Sequence, residues 1–128
     1  MPFESFSHVP VTEEILRHVW EGEPNERKGG HRFGLGREGK TEFPEHWNLS
    51  MVEQAITETL KRPQAVRINK DSTSCLRQVG RVVMIVRLYS RHHRLNILTA
   101  YPLSGDGVGQ NRQQIRVDVP LDLSVLEA

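Results

Sequence analysis

Apolar residues recur at helical spacing around Thr12 to Trp20, at Val11, Ile15, Leu16, Val19 and Trp20. Thr12 is placed to cap that stretch, and Glu13 and Glu14 fall in the first turn, where the helix dipole favours acids. The pattern predicts a short helix ending near Gly22. A second stripe, Leu49, Val52, Ala55, Ile56 and Leu60, predicts a longer helix over Asn48–Arg62, with Ser50 and Glu53 at capping-box spacing and Pro63 as terminator. Residues 21–47 between them are glycine-rich, charged and without a period, hence loop, and so long a loop in a small domain is usually functional or disordered. From Ala65 the period falls to two. Val82–Tyr89 and Leu95–Tyr101 are β-rich runs around the polar SRHHR, which predicts a hairpin, and Ile115, Val117 and Val119 alternate as a further strand. The expected fold class is α+β, N-terminal helices followed by an antiparallel β-sheet.

A chain of 128 residues has room for one domain, 1–128, with its core over about 12–119. The net charge of +1 argues against a simple polycation, but it is unevenly spread. Residues 1–60 carry 6 basic and 11 acidic groups, whereas residues 61–116 carry 11 basic and 2 acidic ones. A segment at +9 can attract a polyanion from within a nearly neutral chain. The single cysteine, Cys75, excludes an internal disulfide framework and a multi-cysteine zinc site, and its expected role is a small buried residue. No stretch approaches a membrane span, and MPFESFSHVP lacks a basic segment followed by an apolar run, so a soluble chain without an export signal is expected.

Three constellations compete for the chemistry. GLGREGKT, Gly34 to Thr41, satisfies the phosphate-loop pattern G-x-x-x-x-G-K-[ST]. A phosphate loop needs a buried strand leading in and a helix leading out, and here the flanks are ERKGGHRF and EFPEHW, with Pro44 three residues on. Nucleotide binding is therefore a weak alternative. Six histidines, His8, His18, His31, His46, His92 and His93, fit no zinc motif. His92 and His93 resemble the paired histidines of HNH-type nucleases, but no histidine follows to complete such a site, and exposed turn residues are the better reading. The third constellation is His18 at the end of the first helix and His31 after Gly29–Gly30, where small residues allow close approach to a substrate, with Thr99 and Tyr101 on one face of a strand. Two imidazoles suit reciprocal acid–base work, one removing a proton and one donating it, as cleavage of RNA without a metal requires. The residues alone leave open which is acid and which is base.

The run GGHRFGLGREGKTEFPEHW (Gly29–Trp47), preceded by RHVWEGE (Arg17–Glu23) and followed by ILTAYP (Ile97–Pro102), resembles the bacterial EndoU endoribonuclease family over about residues 15–102. The resemblance implies an EndoU-like fold in which His31 is general base on the ribose 2′-OH and His18 general acid, leaving a 2′,3′-cyclic phosphate and a 5′-hydroxyl. Tyr101 would pack on the ribose or base and Thr99 would hold the base or phosphate. It further implies cleavage of single-stranded RNA at uridine, no catalytic metal, no cofactor, and a structural role for Gly34–Thr41. Many relatives add a catalytic lysine before the Thr-x-Tyr; Lys40, Lys61 and Lys70 lie in that interval, Lys70 is best placed, Arg77 could substitute electrostatically, and none is matched. Such domains are commonly the C-terminal toxin of a contact-dependent or other secreted effector. RNA, tRNA among the candidates, and a cognate immunity protein are then the expected partners, and the cytoplasm of a target cell the site of action. A non-catalytic RNA-binding module using the +9 segment is the main rival.

Overall fold

The computed structural model describes residues 5–127; Met1 to Glu4, the start of the MPFESFSHVP segment, lie outside them. Helix α1, Glu13–Trp20, begins where expected, with Thr12 Oγ1 accepting the Ile15 amide at 3.2 Å and Leu16 and Val19 turned into the core. Helix α2, Leu49–Lys61, is capped two residues earlier than the predicted box. Extended Asn48 accepts the Met51 amide on its side-chain oxygen at 2.9 Å, so Ser50 is already inside the helix and the Ser50–Glu53 box does not form. Val52, Ala55, Ile56 and Leu60 are buried, while Leu49 lies at the rim, 40% exposed.

The strands are β1 (Thr41–Glu42), β2 (Ala65–Ile68), β3 (Thr73–Val79), β4 (Val82–Arg91), β5 (Arg94–Gly105), β6 (Gly109–Arg112) and β7 (Ile115–Asp118). They form two antiparallel sheets, β2-β3-β4-β5 and β1-β6-β7, instead of one, and β1 precedes α2, so helices and strands are not segregated as expected. Strands β1 and β6, of sequence TE and GQNR, have no apolar alternation to announce them. Strand β7 forms as predicted, yet Ile115 and Val117 are exposed at the edge of the small sheet and do not serve the core. The main core lies between the helices and the four-stranded sheet, with Val19, Val52, Ile56, Met84, Val86, Leu88 and Ala100 fully buried.

The predicted hairpin is β4–β5, joined by only His92 and His93 at φ 53° and 63°. Left-handed backbone at both central residues matches the right-handed twist of paired strands. Strand β5 is irregular in two places. Arg87 pairs with Thr99 but Leu88 with Ile97, leaving Leu98 unpaired; Val83 pairs with Ser104 but Met84 with Pro102, leaving Leu103 unpaired. The two bulges bracket Thr99 and Tyr101.

Candidate active site

The two histidines meet because glycine lets a loop press on a helix end. The amides of Gly30, His31 and Arg32 donate to the carbonyls of His18, Val19 and Trp20 at 3.0, 2.8 and 3.1 Å, acceptors that the last turn of α1 cannot satisfy internally. Gly29, at φ +71°, makes this possible, since a Cβ there would lie 2.1 Å from the His18 oxygen. The glycine pair was expected to admit a substrate; the structure shows it admitting the backbone of α1.

His31 is 3% exposed. Its Nδ1–H donates to the Thr41 carbonyl at 2.7 Å, and its ring stacks on Tyr101 at 5.2 Å and 17° between planes. Burial pushes its pKa down from 6.5 to about 4, against the opposing pull of the Thr41 carbonyl, and Lys40 and His18 add repulsion. The ring is therefore neutral at pH 7, and with Nδ1 carrying the proton its Nε2 is a lone pair without a hydrogen-bond partner among the described residues. His18 is held differently. Its Nδ1–H donates to Glu23 Oε1 at 3.1 Å, and its Nε2 lies 3.1 Å from Thr99 Oγ1. With Nδ1 turned to a carboxylate, it is Nε2 that faces Thr99.

A cavity of about 480 Å³ opens beside His31, Thr99 and Tyr101 and is also lined by Lys40, Arg87 and Gln110. It contains two cations and no acid. The Arg87 side chain makes no hydrogen bond or ion pair among the described residues, and Lys40, partly buried, has its pKa lowered by desolvation and then by Arg37. All four residues expected at the site, His18, His31, Thr99 and Tyr101, are thus brought together. The lysine candidates Lys61 and Lys70 and the substitute Arg77 are not: Lys61 ends α2, Lys70 is exposed in the β2–β3 turn, and Arg77 donates to the Arg62 carbonyl at 2.6 Å. Of the three lysines in that interval it is Lys40, not the best-placed candidate Lys70, that reaches the cavity, and Arg87 and Glu23 are site residues that the sequence reading missed.

Gly34–Thr41 forms no open phosphate cradle. The Gly34 and Gly36 amides donate at 3.0 and 2.8 Å to the carboxylate of Glu42, which is buried and also takes the Asn111 side-chain amide at 2.8 Å and the Arg116 guanidinium. The chain's own carboxylate sits where such a loop would hold a phosphate oxygen. Desolvation works against the Glu42 anion, but these donors prevail and its pKa is lowered.

The +9 segment is less free than its charge suggests. Arg62, Arg67, Arg77, Arg81, Arg112 and Arg116 are each committed to partners within the fold. Arg87, Arg91 and Arg94, all on the β4–β5 hairpin, have no such partner among the described residues. His92 and His93 are exposed at its tip, and Cys75 is buried, its thiol pushed up to about 12 by desolvation. Among the described residues, no three His, Cys, Asp or Glu side chains are grouped to hold a metal ion, and no helix is long and apolar enough to cross a membrane. No protein-family model, curated protein or solved structure matches the chain.

Proposed function

We propose that this chain is an EndoU-type endoribonuclease that cleaves single-stranded RNA, at uridine, by transesterification without a metal. The observation that carries the reading is the unlike state of two histidines on either side of Thr99: His31 buried, neutral and open at Nε2, and His18 held by a carboxylate with Nε2 toward the threonine. His31 Nε2 takes the proton of the ribose 2′-OH as that oxygen attacks phosphorus. His18 Nε2–H gives its proton to the 5′-oxygen as the P–O5′ bond breaks. The products are a 2′,3′-cyclic phosphate and a 5′-hydroxyl, with the proton count conserved between base and acid. Arg87 and Lys40 face the cavity where charge accumulates on the non-bridging oxygens, the role expected of a lysine in relatives. Tyr101 holds His31 by stacking and Glu23 orients His18, both positioning roles.

The test is incubation of purified protein with a uridine-containing oligonucleotide in EDTA, with product ends read by mass spectrometry. Cyclic phosphate and 5′-hydroxyl ends, lost in His31→Ala and His18→Ala, support the mechanism. Products with 3′-hydroxyl ends refute it, and binding without cleavage favours a non-catalytic RNA-binding module. The same reading makes the chain the toxic C-terminal part of a secreted effector, acting on RNA, tRNA among the candidates, in a target cell's cytoplasm. A cognate immunity protein would then cover the cavity. Growth arrest on expression in bacteria, relieved by His31→Ala, tests that part.

A further inference from the structure

The His18–Thr99 contact lies where two cavities adjoin. His31 lines the first and His18 does not; His18 lines a second, of about 420 Å³, and His31 does not. The second is bounded by Glu14, Glu23, Tyr89, Asn96 and Leu98. Its electrical character is the reverse of the first: two carboxylates, and no lysine or arginine.

The sheet explains why the two adjoin. On the face that carries Thr99, cross-strand pairs follow one another along the β4–β5 hairpin: Ile85 with Tyr101, Arg87 with Thr99, Tyr89 with Asn96. Two tyrosines on one face, about 13 Å apart at the strand rise, thus flank a central row holding Arg87 and Thr99. The extra residue of the bulge, Leu98, falls between the last two rows and forms part of the second cavity's wall.

We propose that the second cavity is the binding site for the nucleoside on the leaving-group side of the cut, the one whose 5′-oxygen receives the proton of His18. The inference rests on the endonuclease reading above and extends it to a second subsite. A carboxylate-lined cavity repels phosphate and suits a ribose and an uncharged base, and the leaving nucleoside departs with a neutral 5′-hydroxyl. Tyr89 supplies an aromatic face for that base, with no hydrogen bond of its own among the described residues. Two acceptors are free to read the base edge. Asn96 uses one amide N–H toward the Arg94 carbonyl at 3.3 Å, leaving Oδ1 and the second N–H free, and the Glu14 carboxylate, an acceptor only, has no hydrogen-bond partner among the described residues. Acceptors select bases that bear an exocyclic amine, adenine, cytosine or guanine, over uracil.

The experiment compares two substrates of one active site: the dinucleotide uridylyl-3′,5′-adenosine, and uridine 3′-(4-nitrophenyl phosphate), which has no leaving nucleoside. Tyr89→Ala and Asn96→Ala are expected to lower kcat/KM on the dinucleotide about tenfold or more while leaving the aryl ester unchanged. Tyr89→Phe should restore the dinucleotide rate. With wild type, dinucleotides ending in adenosine, cytidine or guanosine should be cut several-fold faster than the one ending in uridine, and Glu14→Gln should narrow that gap. Equal losses on both substrates would mean that Tyr89 and Asn96 act structurally, and no loss on either would mean that the cavity is idle; both overturn the subsite while leaving the endonuclease intact. Failure of wild type to cut either substrate overturns the endonuclease reading and the subsite with it.

Discussion

Gly29 and the main-chain oxygen of His18 are packed so closely that one added methyl group would stand 2.1 Å from that oxygen. The contact joins the segment carrying one histidine to the helix carrying the other. Gly29→Ala should therefore cost at least about 2 kcal/mol, from the positive φ and the clash together, and lower cleavage more than tenfold. Gly34 is the control: its φ is +84° but nothing lies within 4 Å of an added Cβ, so Gly34→Ala should cost about 1 kcal/mol and keep activity. Urea denaturation and cleavage rates of the two variants check both statements, and equal effects would deny the packing argument.

The proposed base sets the acid limb of the rate profile. His31 is neutral, hence competent, down to about pH 4, because burial disfavours its cation. The kcat/KM for an oligonucleotide should hold as pH falls through 6 and drop only on approaching 4. An acid limb breaking near the ordinary histidine value would assign the base to another group.

The same burial couples stability to pH. The unfolded chain binds the His31 proton near 6.5 and the folded protein only near 4, so acidification through that window favours unfolding. The contribution is about 3 kcal/mol at 1.36 kcal/mol per pKa unit, fully present above 6.5 and lost as pH falls to 4. Glu42, with its pKa lowered, adds a loss that sets in only below the ordinary glutamate value of 4.5. Denaturant melts of wild type and His31→Gln from pH 7 to 4 separate them: the variant should lose the upper slope and keep the lower.

Glu42 ties together two loop amides, Asn111 and Arg116. Glu42→Gln removes the charge opposite Arg116, which keeps only the Gly107 carbonyl and the Phe33 ring, and weakens the loop, at an expected cost of about 2 kcal/mol. Wild type should show no binding of ATP with magnesium in equilibrium dialysis, because the amides are already taken. Saturable binding at micromolar ATP would revive the phosphate-loop reading.

Arg87→Ala should lower kcat about a hundredfold with a smaller effect on KM, and Arg87→Lys should recover part of it. Lys70→Ala and Arg77→Ala should change neither. A rate loss for Lys70→Ala matching that of Arg87→Ala would show that the cation facing the phosphate had been misassigned.

Both helices and the hairpin could be read along the chain because each has a local signature, whereas the grouping of His18 and His31 with the distant Thr99 and Tyr101 came from the resemblance of the motifs around them. Arg87 could not, and the reason is one residue. Counting back from the two-residue turn pairs Arg91 with Arg94, then Arg87 with Leu98, and places Thr99 on the same face as the buried Ile97. The bulge at Leu98 shifts the register by one and turns Thr99 and Tyr101 to the open face opposite Arg87 and Ile85. Nothing in the alternation of Leu95–Tyr101 marks where that extra residue sits. Glu42 was equally hidden: its place is set by Arg116 and Asn111, some seventy positions downstream, and a two-residue strand carries no period.

That long reach fixes the order in which the site can come into being during synthesis. A ribosome making this chain releases both histidines well ahead of Thr99, Tyr101 and the Arg116 that secures Glu42. Until β5 and the strands after it have emerged, His18 has no threonine, His31 no tyrosine, and the Glu42 that holds the Gly34–Gly36 loop no arginine. On the proposed endonuclease reading, a nascent chain halted before β5 leaves the RNA around it uncut, and the site becomes competent only once β5 and the strands after it fall into place.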